Sequence, residues 1–168
     1  NNDVDKFAHH DLRILPDNKI LYIAHEIVEI DDTANGGEPD TRVLIESLRE
    51  WDQNNHTTRE IWNSLNHYST DTRVHWSGDI VSWLHTNSVQ IGPRGNYILS
   101  LRNINQVVSI SASGRSVEWK LGGPDSDYGF EYPSNQFYAQ HSATELPNGN
   151  ILVFDNGRDR PEDEGGEY

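Results

Sequence analysis

The sequence predicts an all-β fold built from repeated antiparallel hairpins, and three observations carry this prediction. A pattern of strand, tight turn and strand occurs three times, in residues 9–26, 85–103 and 140–157. The flanking runs are rich in Ile, Leu, Val and Tyr, which favour strands. The turns suit tight hairpins because Asn and Gly accept positive φ; they read Pro16-Asp17-Asn18, Pro93-Arg94-Gly95-Asn96 and Pro147-Asn148-Gly149-Asn150.

The second repeat continues into a further hairpin, residues 106–123, which turns at Ser113-Gly114. Together the two hairpins predict four strands, over residues 88–91, 97–101, 107–111 and 116–120. A four-stranded antiparallel meander repeated along a chain is the unit of a β-propeller. The predicted architecture is therefore a β-propeller of four-stranded antiparallel blades.

A polar residue leads each repeat at a similar distance before its turn. When the three turns are aligned, the lead residues are His10, Asn87 and His141. The inner strands of propeller blades line one channel, so residues far apart in sequence can meet there. The register of the repeats therefore predicts one polar site built from all three.

The first repeat is followed by a segment that fits the blade pattern poorly. Residues 31–41 read as a loop, and residues 42–51 fit either an outer strand or a short amphipathic helix. A helical spacing of apolar residues after a Thr cap predicts a short helix over residues 58–68; these residues are Ile61, Trp62, Leu65 and Tyr68. We expect an insertion near residues 31–75.

At about 40–45 residues per blade, the single domain of residues 1–168 holds roughly three blades. Propellers close with about 4–8 blades, so we expect this chain to cover only about half of a ring. Open sheet edges pair readily with other chains. We therefore expect a second chain, or self-association, to complete the propeller.

The composition excludes several classes of function. Lys and Arg number 13 and Asp and Glu 27, which gives a net charge of −14. This charge argues against binding to nucleic acid or to an anionic membrane surface. The absence of Cys excludes a thiolate nucleophile and a zinc–thiolate site. No apolar run approaches the roughly 20 residues of a membrane span, and no pattern predicts a metal site.

Three segments resemble the arylsulfotransferase family, the PAPS-independent aryl-sulfate sulfotransferases. They are HHDLRILPDNKILYIAHE at 9–26, SWLHTNSVQIGPRGNYILSLRNINQVVSISASGRSVEWKLGG at 82–123 and QHSATELPNGNILVFDNGRDRP at 140–161. The resemblance covers about residues 7–30 and 76–168. The resemblance depends on a combination of motifs: His-Thr-Asn together with Gln-His-Ser-Ala, Leu-Pro-Asn-Gly-Asn and Phe-Asp-Asn-Gly.

The resemblance implies a six-bladed propeller that is periplasmic or extracellular, often dimeric, with its active site at the central channel. It implies transfer of a sulfuryl group from a phenolic sulfate donor to a phenol acceptor through a sulfated histidine, without a nucleotide or other cofactor. By motif, the sulfated histidine corresponds to His141. The other active-site groups correspond to His10, His85, Asn87 and Arg102.

The chemistry explains why the site needs these residue types. Sulfuryl transfer resembles phosphoryl transfer, in which positioning and electrostatics dominate. A neutral imidazole is a competent nucleophile, and a covalent intermediate gives ping-pong kinetics. Arg102 offers a fork of N–H donors for sulfonate oxygens, and Asn87 and His85 can add more. His10 or His85 can protonate the leaving phenolate and then deprotonate the acceptor.

Each candidate also has a structural interpretation. His10 and His141 can cap inner strands through backbone bonds, and His85 can support the site without touching substrate. Asn87 can form a turn, and Arg102 can pair with a carboxylate. The remaining histidines are interpreted as structural or surface residues, with His25 the first exception to expect; they are His9, His25, His56, His67 and His75.

Three aromatic side chains also have a structural interpretation. Trp83, Trp119 and Phe154 are interpreted as core residues rather than as walls of a phenol site.

A propeller of this kind can also be non-catalytic and serve as a structural or binding module in an extracellular assembly. A lyase or hydrolase on the same scaffold is a weaker alternative, because a fold does not fix a function.

Overall fold

The computed structural model describes residues 6–69, 75–77 and 79–161. In this part of the chain the regular structure is strand with short 3-10 turns, which confirms the all-β prediction. No helix among these residues is long and apolar enough to cross a membrane. The chain divides into two compact units, Asn1–His85 and Thr86–Tyr168.

The first unit contains one mixed sheet with the strand order β1-β2-β3-β6-β5, and β4 pairs with β3. Strands β1 to β4 form an antiparallel meander, whereas β6 runs parallel to β3. Its core follows β2 and β3, where Leu21, Ile23 and Val43 are at most 1% exposed. The strands are β1 Lys6–Leu15, β2 Lys19–Ile30, β3 Thr41–Asp52, β4 Thr57–Asn63, β5 His75–Ser77 and β6 Ile80–Ser82.

The helix predicted over residues 58–68 is wrong. Residues 57–63 form β4, and only Ser64–Asn66 makes a 3-10 turn. The register of β4 against β3 shifts between Leu48 and Arg49. This shift buries the consecutive residues Ile61 and Trp62 and so produces an apolar spacing that resembles a helix. Residues 42–51, whose sequence fitted either an outer strand or a short amphipathic helix, belong to strand β3.

The second unit contains a four-stranded antiparallel sheet in the order β10-β9-β8-β7 and a separate hairpin, β11-β12. The sheet is the meander that the second repeat predicts, and the hairpin is the third repeat. That these sheets are propeller blades stays a prediction. The strands are β7 Thr86–Ile91, β8 Tyr97–Leu101, β9 Gln106–Ile110, β10 Val117–Leu121, β11 His141–Glu145 and β12 Ile151–Phe154.

The turns of the three repeats have the backbone conformation expected from their residues. Gly95 and Gly149 have φ of 79° and 84°. In the first repeat, Asp17 and Asn18 take the left-handed region at 59° and 57°. Positive φ in such turns matches the twist of the strands that they join, so the local sequence fixes each hairpin.

The β11-β12 hairpin contributes one face to the core of the second unit. Ile151 and Val153 pack against the buried cluster that contains Ile98, Val107 and Phe137. Alternate residues of a strand face opposite sides, so Leu152 and Phe154 point away and are 58% and 65% exposed. The core role predicted for Phe154 is therefore wrong. Trp83 is fully buried, and Trp119 packs against the buried cluster, as predicted.

Candidate functional site

Each repeat hairpin carries a β-bulge where its lead residue lies. The register shifts between Ala8 and Leu12 around His10, and between Thr86 and Ser88 at Asn87. In the third repeat the shift begins directly after His141, before Thr144. Bulges re-aim side chains and are common beside active sites. The three hairpins thus share an irregularity at the positions that the sequence aligned.

In the first unit, the structure brings His10 and His85 together. Their ring centroids lie 4.8 Å apart in an edge-to-face arrangement. Both residues have positive φ, 58° for His10 and 54° for His85, a conformation that is uncommon for residues other than glycine. The two predicted histidines therefore form one pair in this unit.

Two further histidines, His9 and His25, extend this pair into a cluster. The sequence alone favoured a structural or surface role for both, with His25 the first exception to expect. The ring of His9 contacts that of His10 through their Nδ1 atoms and also lies against that of His25, with the two ring planes tilted by 35°. His25 is 6% exposed, and its position at a repeat strand was the signal that singled it out. The cluster comprises His9, His10, His25 and His85.

The inner histidines of the cluster are neutral at physiological pH. Burial, reinforced by the neighbouring histidines, lowers the pKa of His9 to about 2 and that of His25 to about 3. A neutral imidazole offers one donor and one acceptor nitrogen. His9 and His25 are therefore neutral neighbours of the His10–His85 pair.

These low pKa values predict that stability falls on acidification. Below pH 6.5 the unfolded chain binds protons at both residues while the folded chain does not, so the free energy of unfolding decreases from pH 6.5 towards pH 3. Each histidine contributes at most about 1.4 kcal/mol per pH unit, and solvent screening reduces this value. Urea unfolding measured from pH 7 to pH 4 checks the slope.

The control for this slope is a variant in which His9 and His25 are both replaced by asparagine. The dependence of its unfolding free energy on pH then comes from the other ionisable groups. These include His67, because burial also lowers the pKa of that residue. An equal slope in the variant and the wild type would contradict the buried neutral state of the pair.

The remaining histidines behave as predicted where the structure describes them. His67 stacks on Trp62 with ring centroids 5.9 Å apart, and His56 is exposed in the turn between β3 and β4. The side chain of His75 lies outside the described residues. His56 and His67 therefore stay structural or surface positions.

His85 is fixed at both its backbone and its ring. Its backbone N–H donates to Glu46 Oε1 at 2.8 Å, and its Nδ1 lies 3.4 Å from Ser82 Oγ. Glu46 was not a candidate from the sequence, because no local motif surrounds it. Only the pairing of distant segments brings this carboxylate to the site.

In the second unit, Gln140 links the strands that carry the other three candidates. Its backbone carbonyl accepts from Asn87 Nδ2 at 2.9 Å, and its Nε2 donates to Leu101 O at 3.3 Å. His141 and Arg102 are the next residues along the chain from Gln140 and Leu101. The three candidates therefore lie at neighbouring strand ends. Asn87 is the second residue of β7, Arg102 directly follows β8, and His141 begins β11.

His141 is half-buried and makes its hydrogen bonds through one ring nitrogen. Nδ1 lies 3.2 Å from Ala139 O and 3.0 Å from Asn156 Nδ2. It can donate to the former or accept from the latter, according to the tautomer. No described residue bonds to Nε2. With Nδ1–H donated to the carbonyl, Nε2 carries the lone pair.

Arg102 follows β8 and makes no ion pair with any described carboxylate. One guanidinium nitrogen donates to Asn103 Oδ1 at 2.8 Å. Burial lowers the pKa of Arg102, and the nearby charge of Arg158 lowers it further, while Asp159 acts in the opposite direction. Arg158 is itself paired with Asp159, its Nε lying 3.6 Å from Oδ2, so the guanidinium of Arg102 is the less neutralised of the two cations.

Asn87 lies in its bulge as a buried residue, 5% exposed, and does not form a turn. Its Nδ2 is engaged with the backbone of Gln140. Among the described residues, no group of three or more His, Asp or Glu side chains is arranged to hold a metal ion.

The sequence matches a family model described as Arylsulfotransferase (ASST) over residues 2–167. This match covers nearly the whole chain and includes all five predicted site residues. A comparison with curated protein sequences finds none that matches.

Proposed function

The chain belongs to the arylsulfotransferase family, and from this premise we propose that it transfers a sulfuryl group from an aryl sulfate to a phenol by a ping-pong route through His141. Family membership supports a sulfotransferase-type function in general. The histidine route, the phenolic substrates and the propeller architecture are parts of the proposal.

The observation that carries the proposal is the state of the His141 ring. Its Nδ1 contacts Ala139 O and Asn156 Nδ2, while no described residue bonds to Nε2. A base or nucleophile is commonly oriented by a hydrogen bond at its other nitrogen. This pattern suits an imidazole whose Nε2 lone pair attacks sulfur.

In the first half-reaction, the Nε2 lone pair attacks the sulfur and the bond from sulfur to the phenolic oxygen breaks. The electron pair leaves on that oxygen, which takes up a proton. In the second, the acceptor phenol loses its proton as its oxygen attacks sulfur, and the N–S bond breaks. We assign this proton transfer to His10 or His85.

The second unit also supplies donors for the sulfonate oxygens. Arg102 lacks a carboxylate partner among the described residues, and its one described side-chain bond uses a single guanidinium nitrogen. Asn87 Nδ2 carries two hydrogens and donates one to the backbone carbonyl of Gln140. Donors held in place before the reaction stabilise charge in the transition state at no further cost of reorganisation.

The intact mass of the protein, incubated with a phenyl sulfate donor and no acceptor, tests this proposal. We expect a sulfuryl adduct that maps to His141 and disappears when a phenol is added. A protein that releases phenol without forming an adduct would contradict the covalent route. A protein that neither forms an adduct nor releases phenol would contradict the sulfotransferase proposal.

The second candidate function is a non-catalytic propeller module, and the third repeat favours it. Among the described residues β12 pairs only with β11, and Leu152 and Phe154 are exposed on it. Such an edge suits pairing with a second chain or another copy. A native mass above that of one chain, without any adduct, would favour the module over the enzyme.

A further inference from the structure

We propose that Glu46 is a positioning residue that holds His85 in place for the proton transfer assigned to His10 or His85. The role in catalysis rests on the proposed function, whereas the hold on His85 does not. Glu46 does not touch substrate in this proposal. It acts through the backbone of His85.

The burial of Glu46 is the first argument. Its side chain is 0% exposed, and Glu is almost never fully buried unless it is paired. A carboxylate removed from water requires strong hydrogen bonds in compensation. Its shortest described bond is the one to the backbone N–H of His85, 2.8 Å from Oε1. The buried carboxyl group of Glu46 is thus directed at the backbone of His85.

The conformation of His85 is the second argument. Its φ of 54° lies in the left-handed region, which is unfavourable for a residue with a side chain. The residue lies just before β7 begins at Thr86, so the sheet does not satisfy its N–H. A backbone in this unfavourable conformation needs surrounding contacts that stabilise it, and the hydrogen bond from the N–H of His85 to Glu46 is one such contact.

The sheet explains how Glu46 reaches this position. Glu46 in β3 lies directly opposite His25 in β2, so both side chains leave the same face of the sheet. Glu46 Oε1 and His25 Nε2 lie 3.8 Å apart. Because the pKa of His25 is lowered, this contact joins a carboxylate to a neutral ring. The hydrogen bond to His85 is therefore the stronger of the two.

The backbone of Glu46 is fixed as well. Its N–H donates to the hydroxyl of Ser64, which is fully buried, at 3.2 Å. The carboxylate thus projects from a strand that is held on both sides. Through His85, this arrangement sets the angle at which the ring meets His10, 4.8 Å away.

The experiment compares the wild-type chain with Glu46→Leu, which removes the acceptor, and Glu46→Gln, which keeps an acceptor oxygen. The first readout is the NMR signal of the His85 amide proton, obtained with ¹⁵N-labelled histidine. The second is kcat and KM for transfer from a phenyl sulfate to a phenol. Glu50→Leu is the matched control, since Glu50 lies in the same strand but pairs with Lys19 and Arg59.

In Glu46→Leu we expect the His85 amide to shift upfield and exchange faster, with kcat lowered at least tenfold and KM nearly unchanged. Glu46→Gln should restore kcat to within about threefold. Glu50→Leu should leave the His85 amide unchanged. If Glu46→Leu does not fold, a smaller upfield shift in Glu46→Gln is expected, because a carboxylate accepts a stronger hydrogen bond than an amide.

An unchanged His85 amide in folded Glu46→Leu, or in Glu46→Gln where the leucine variant does not fold, would overturn the proposal. Equal losses of kcat in both variants would overturn the acceptor role as well. If the wild-type chain shows no transfer, the proposed function fails, but the amide measurement still decides whether Glu46 holds His85.

Discussion

Replacing His141 by alanine is expected to abolish the sulfuryl adduct and to lower sulfuryl transfer at least about 10³-fold. The reason is chemical, because the variant lacks the nitrogen that attacks sulfur and carries the group between the two half-reactions. Incubation with a phenyl sulfate, followed by intact mass and by release of the phenol, measures both effects.

The fold should survive this substitution. The His141 ring is half-buried, and its described bonds join Nδ1 to Ala139 O and to Asn156. Loss of one such bond costs about 1 kcal/mol. We therefore expect a circular dichroism spectrum like that of the wild type and a small decrease in thermal midpoint.

The matched control is His56→Ala, which removes an exposed imidazole from the turn between β3 and β4. This variant should keep its adduct and its turnover. Wild-type turnover in His141→Ala would contradict the nucleophile assignment. An adduct that persists in His141→Ala and maps to His10 or His85 would move the assignment to that residue.

Much of the fold could be predicted from local sequence. The turn residues fix hairpins at Asp17-Asn18, Gly95 and Gly149, and the strands that flank them are rich in Ile, Leu, Val and Tyr. The helix over residues 58–68 failed because a register shift in β4 buries consecutive residues. Such a shift depends on the partner strand, so no local pattern reports it.

The candidate site was only partly predictable for the same reason. His10, Asn87 and His141 stand out because the repeat places them in register, and each lies at or beside a bulge. Glu46 has no motif, and its relation to His85 arises from strand pairing across a long stretch of chain. Contacts of this kind become visible only when the sheet is assembled.

Replacing Gln140 by leucine is expected to lower the free energy of unfolding of the second unit by about 2–4 kcal/mol. Gln140 is fully buried. Its Nε2, with two hydrogens to donate, lies within hydrogen-bond distance of three acceptors: Ser100 Oγ at 3.1 Å, Leu101 O at 3.3 Å and Gln106 O at 3.0 Å. Leucine has a similar volume but no donor, so buried acceptors on β8 and β9 lose their partner. Urea unfolding measures the loss.

A control at a similar residue separates this network from a general effect of leucine. Gln90 on β7 is half-buried, and none of its side-chain atoms makes a described hydrogen bond. Gln90→Leu should therefore unfold within about 0.5 kcal/mol of the wild type. Equal stability of the two variants would contradict the role given to the amide of Gln140.

The consequence for function follows from the place of Gln140 in the chain. It immediately precedes His141, and its amide ties that strand to the end of β8, where Arg102 follows Leu101. The proposed reaction needs the imidazole and the guanidinium at fixed separation, since small misplacements of reacting groups lower rates strongly. Gln140→Leu should therefore slow sulfuryl transfer even at low temperature, where the variant remains folded.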